Sequence, residues 1–187
     1  MRRMVLIAGL MTAFVLVALG ASAAAPANFA GTWELDQTKS QGLDQRMQNA
    51  KSVQWIIVQD DKKLSIDSKV IAGEPPPGES PAGGPGRGGG GGRGPAGPRS
   101  FNLDGKEVSA EAGGQMGGTS ATKATWSSDG QALELLSVRT GSRDGNEFKF
   151  TTTEKLGLSV DGKVLTVNRH SEGPRGPQDA TLVFNKK

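Results

Sequence analysis

The sequence predicts an all-β fold, an antiparallel up-and-down meander of about 8–10 strands with one short helix after the first strand. Two observations predict it. Outside one Gly/Pro-rich tract the hydropathy period is 2, and Asp-Gly pairs punctuate the alternation at 104–105, 129–130, 144–145 and 161–162. Successive side chains of a strand point to opposite faces, so alternation marks half-buried strands. Glycine accepts positive φ and aspartate tolerates it, so Asp-Gly between such runs predicts hairpins, whose strands are antiparallel neighbours.

The strands expected in order are 29–36, 52–59, 63–70, 99–103, 106–110, 119–128, 131–140, 147–157, 158–161, 163–170 and 179–185. Lys63 to Val70 alternates without a break. Asp60-Asp61-Lys62 is the turn before it. Phe148, Phe150, Thr152, Glu154, Leu156, Leu158 and Val160 share one parity over a run long enough that a break is expected at Gly157. In 52–59 both parities are apolar, which predicts a strand covered on two sides. Leu43, Met47 and Ala50 fall at i, i+4 and i+7, the spacing of one helix face, so a helix is expected within 40–50. A sheet of this size curls, and closure removes its exposed edges. A barrel is therefore expected, with a strongly bent open sheet as the alternative.

Residues 1–23 read as a signal peptide: Met1-Arg2-Arg3, an apolar run from Met4 to Leu19, then Ala21-Ser22-Ala23 as a cleavage site. The run is shorter than the roughly 20 residues a membrane span needs, so no span is expected after cleavage. Residues 24–187 are expected to form a single β domain in the periplasm or outside the cell. The chain has no cysteine, so neither a disulfide nor a lipid-modified cysteine is possible. Without Arg2 and Arg3, 20 basic residues face 19 acidic ones. That balance gives no electrostatic reason to bind nucleic acid or anionic membrane. A monomer is expected.

Residues 73–99 hold 12 of the 28 glycines and 7 of the 10 prolines, with no large apolar side chain. Such a segment cannot offset its own ordering entropy and is expected to be a disordered loop interrupting the domain. Arg87-Gly88-Gly89 and Arg93-Gly94 look like RGG fragments, but no aromatic residue is interleaved, and a flexible insertion is the expectation.

Phe29-Ala30-Gly31-Thr32-Trp33-Glu34-Leu35 resembles the first strand of the calycin superfamily. Lipocalins open with G-x-W, and fatty-acid-binding proteins with F-x-G-T-W-x-L. The longer string through Ser40, with Asp-Gly-Lys at 104–106 and 161–163, resembles secreted bacterial lipocalin-like proteins, many without an assigned role. The resemblance implies a lipocalin-like barrel closed at one end by Phe29, Gly31, Thr32 and Trp33. It also implies a small hydrophobic or amphipathic ligand. The fatty-acid site does not carry over, because the chain has no tyrosine and its last strand no arginine.

No catalytic set is legible. His170 is the only histidine, which argues against zinc and leaves it as a solvated residue near a strand end. The glycine tract lacks the G-K-[ST] of a phosphate-binding loop. No enzyme, metal or cofactor is expected. The one polar constellation is Glu154, which shares parity with Thr152 and Leu156, together with Arg139 and Arg169 on the segments expected beside it. A buried carboxylate needs a partner, so Glu154 is expected near one or both arginines, either orienting an amphipathic ligand or as a structural ion pair. Leu136 and Val138 argue for the opposite face of 131–140, so its register stays open. The expected function is an exported, non-catalytic binding protein. The alternative is an envelope or interaction protein without a cavity, which uses the 73–99 loop or the sheet surface.

Overall fold

The computed structural model describes residues 25–73, 98–111, 118–143 and 146–187. The expected leader, nearly all of the Gly/Pro-rich tract and the Asp144-Gly145 pair lie outside the described residues. The strands are β1 (Gly31–Leu35), β2 (Ala50–Gln59), β3 (Lys63–Ala72), β4 (Arg99–Asn102), β5 (Val108–Glu111), β6 (Thr119–Trp126), β7 (Ala132–Arg143), β8 (Asn146–Leu158), β9 (Val164–Glu172) and β10 (Gln178–Lys186). The single helix is α1 (Gln45–Gln48). All ten strands form one antiparallel sheet in the order β4-β3-β2-β1-β10-β9-β8-β7-β6-β5. The first strand pairs with the last, Leu35 opposite Phe184. The sheet thus curls into a nearly closed barrel, and its two edges, β4 and β5–β6, meet at a seam. There the Thr122 hydroxyl donates to the Ser100 carbonyl at 3.1 Å.

The alternation sorts side chains as the sequence implies, except that the strand expected to be covered on two sides is covered on one: Val58 is 64% exposed. Trp33, Trp55, Ile57, Leu64, Ile66, Phe101, Leu133, Leu135, Leu156, Leu165, Val167, Leu182 and Phe184 are all buried in one cluster. Trp55 lies against Phe184 with ring centroids 4.7 Å apart. Burying side chains of this size contributes about 1.5–3 kcal/mol each, which suits a fold that has no disulfide.

Several expectations are corrected. Gly157 does not break the long run: it pairs with Ala132 on one side and Thr166 on the other, and β8 continues to Leu158. Residues 158–161 are therefore not a separate strand, and 159–162 make the turn into β9. Asp104-Gly105 is a turn but not a hairpin, because β4 pairs with β3 and β5 with β6. That turn carries the chain across the seam, a distinction local turn chemistry cannot make. The helix is a single turn. Asp44 caps it by accepting from the Met47 N–H, and Asn49 closes it. The chain then joins β2 at Ala50, opposite Ala72. Arg99, the last residue of the Gly/Pro tract, opens β4 as the strand expected at 99–103 requires, and pairs with Ile66. The register of 131–140 is settled: Leu133 and Leu135 are buried inside, and Leu136 and Val138 take the outer parity.

Candidate functional site

One end of the barrel is sealed by the chain entering it. Phe29 is buried against Trp126, ring centroids 6.0 Å apart. Its carbonyl accepts the Trp33 indole N–H at 2.9 Å. Gln59 clamps the same segment: its side-chain oxygen accepts from the Phe29 N–H, and its amide donates to the Ala27 carbonyl. Gly31 has φ +144°, a backbone conformation that L side chains rarely adopt, so glycine suits the position. Lys186 Nζ sits 5.2 Å from the Trp33 ring centroid, within cation–π range. Phe29, Gly31, Thr32 and Trp33 thus stand at the closed end, with Thr32 in register opposite Ile56.

Above the apolar layers lies one buried charge. Glu154 is 1% exposed and is bridged by two guanidinium groups. Arg169 on β9, directly opposite it in register, donates from Nε and Nη2 to Oε1 at 2.9 and 2.7 Å. Arg99 on β4 donates from Nη1 to Oε2 at 2.6 Å. Both guanidinium carbons lie 5.6 and 5.8 Å from the Trp55 ring. Burial alone would raise the Glu154 carboxyl. The charges of Arg99 and Arg169 and their hydrogen bonds outweigh that, so its pKa lies below the usual value and it is ionised. The Arg99 bond also links the edge strand β4 to β8 on the other side of the seam, where the backbone ladder is missing.

The expected trio is therefore met in part. Glu154 and Arg169 come together. Arg139 does not reach Glu154: it pairs with Phe150 and Ser120, four residues further along β7 than Leu135, which faces Glu154. Arg99 takes the place expected for Arg139. Its signal was present, since Arg99 shares parity with Phe101, but it stands next to the Gly/Pro tract and its partner is not a sequence neighbour.

Beyond this ionic layer the inward positions change character. Ser137, Thr152 and Ser171 face in and are only half-buried, Ser68 is exposed, and Phe150 is 45% exposed. Phe148 and Phe150 lie with ring centroids 5.6 Å apart, tilted at 54°, on the part of the β7–β8 hairpin that projects past the end of the β8–β9 ladder. This end is an open mouth whose floor is the Arg99–Glu154–Arg169 layer. Arg139 faces into it, and its Nε is buried with no hydrogen-bond partner among the described residues.

On the outer wall a shallow groove of about 470 Å³ is lined by Gln41, Thr153, Asn168, His170, Asp179 and Thr181, among others. His170 contacts Asp179 at 2.6 Å and Glu172 at 3.4 Å. Those two bonds raise its pKa above the ordinary 6.5. Among the described residues, no group of three or more His, Cys, Asp or Glu could hold a metal ion, and no helix is long and apolar enough to cross a membrane.

An antiparallel meander closed first strand to last, with its first-strand tryptophan plugging one end, has a calycin-like fold. No protein-family model and no curated protein matches the chain. Among solved structures it is similar to zebrafish ileal bile acid-binding protein complexed with cholic acid, at 13% identity and a TM-score of 0.44. That match covers 85% of this chain and 98% of the other.

Proposed function

We propose that this is an exported, non-catalytic binding protein that takes a small amphipathic ligand at the open end of the barrel. One observation carries the reading: the mouth is accessible, and its floor is a fixed ionic layer rather than apolar side chains. Sites that orient small ligands combine apolar walls with a few well-placed polar groups. Phe148 and Phe150 supply the first. Arg139, Arg169 and Glu154, with Arg99, supply the second. The leader-like residues 1–23 support export to the periplasm or the medium. The absence of a legible nucleophile or acid–base pair supports a role without catalysis.

A second reading is favoured by a different observation. The lower barrel is filled with side chains from Trp33 to Phe184, which suits an envelope interaction protein working through its surface. Titration of the delipidated protein with fatty acids, retinoids and an environment-sensitive dye separates the two. Saturable one-to-one binding of any of them supports the first reading. No binding of any class removes it.

A further inference from the structure

We infer that the mouth selects an anionic head group and that Arg139 is its anchor; this rests on the binding role proposed above. The argument is a charge count on the inner wall. From the ionic layer to the mouth the inward-facing strand positions include Arg99, Arg139 and Arg169 and one carboxylate, Glu154, while Lys186 has the same parity at the closed end, over Trp33. Glu154 is consumed by Arg99 and Arg169. Arg139 is left with a buried Nε–H that donates to nothing among the described residues. A buried donor without an acceptor is unfavourable, and a guanidinium is matched in geometry by carboxylate, sulfate or phosphate oxygens.

Position sets how the ligand lies. Arg139 is in register between Ser120 on β6 and Phe150 on β8. Ser120 and Ser137 share its inward parity; the Ser120 hydroxyl donates to the Ala110 carbonyl, and Ser137 offers a further donor. Half-buried Phe148 and exposed Phe150 lie together on the neighbouring strand. The apolar layers below the Glu154 floor are packed shut. A ligand therefore sits shallow, its acid group on Arg139 and its apolar body against the two phenylalanines, without entering the apolar core.

The test compares two fluorescent probes that share an aryl body: 8-anilinonaphthalene-1-sulfonate, an anion, and N-phenyl-1-naphthylamine, which is neutral. The purified protein is expected to prefer the anion. Arg139→Gln should weaken the anion about tenfold and leave the neutral probe unchanged, with partial rescue by Arg139→Lys. Neutral binding with no anion preference and no effect of Arg139→Gln overturns the anion site and leaves the binding role standing. Binding of neither probe overturns the anion site, and the dye arm of the wider titration then decides the binding role. Should Arg139→Gln fail to fold, inorganic sulfate titrated into wild type decides. A saturable shift of the Arg139 Nε–Hε resonance supports the anchor, and its absence overturns it.

Discussion

At the closed end of the barrel every connection is tied down, whereas at the mouth the inner wall turns polar and accessible. Four aspartates stand in the closed-end turns, and each accepts from backbone N–H groups beyond it: Asp60 from Lys62 and Lys63, Asp104 from Lys106, Asp129 from Gln131, Asp161 from Lys163. Two of these turns repeat one device. Ser127 and Ser159 each donate to the aspartate two residues on and accept from the backbone N–H five residues on. The mouth instead spends its inward positions on hydroxyls, guanidinium groups and two half-exposed phenylalanines. The contrast teaches that one alternating strand can be core at one end and site at the other. On β8 the same face runs from Phe148 through Glu154 to Leu156 without a change of period.

The contrast can be broken from either side. Trp33→Ala removes the plug and the bond to Phe29, and should cost about 3–5 kcal/mol in urea unfolding. Phe150→Ala at the mouth should cost less than about 1 kcal/mol. Similar losses for the two would mean the mouth is core after all.

The boundary layer comes next. Glu154→Ala leaves two guanidinium groups without their acceptor and should cost about 3–5 kcal/mol. The triple replacement Glu154→Leu, Arg99→Met, Arg169→Met should recover most of that loss, because an apolar layer of similar volume needs no ion pair. No recovery would show that the ionic layer also holds the seam shut.

Turn glycines should give smaller effects. Gly162 has φ +67° and open space where a Cβ would go, so Gly162→Ala should cost about 1–2 kcal/mol from backbone strain alone. A neutral result would mean the turn relaxes to another type.

The pH dependence is expected to be smallest between the ordinary carboxyl range and about pH 6.5. The carboxyls of Asp36, Asp60, Asp104, Asp129, Asp161 and Glu154 are all held below their ordinary values. For the aspartates, side-chain or backbone hydrogen bonds are the main cause; for Glu154, the arginines overcome burial. Their contribution is present above the ordinary carboxyl range and is lost as pH falls through the lowered values. His170 has the opposite sign. Its raised pKa stabilises fully below about pH 6.5 and fades as pH rises through the folded value. Thermal melts of His170→Gln should lose that small alkaline-side slope and keep the acid limb.

Much of the fold was legible because it rests on local rules. Period 2 and turn chemistry located the strands, and the G-T-W opening located the plug. Parity alone placed Glu154 inside with Arg139 and Arg169 as its candidate partners, since hairpin neighbours have a register that turns constrain. What failed needed non-local information. Arg139 and Arg99 both face inward by parity, but only the height of each along the barrel and the meeting of edges at the seam decide which reaches Glu154. Asp104-Gly105 was misread as a hairpin for the same reason. The two strands it joins lie at opposite edges of the sheet.

The division of the interior into a solid half and a receptive half is tested most directly by mapping backbone amide and methyl shifts as 8-anilinonaphthalene-1-sulfonate is titrated in. The account predicts shifts at Arg139, Phe148, Phe150, Thr152 and Ser171, and none at Leu133, Leu165 and Leu182. Large shifts at those three leucines with a silent rim would contradict it.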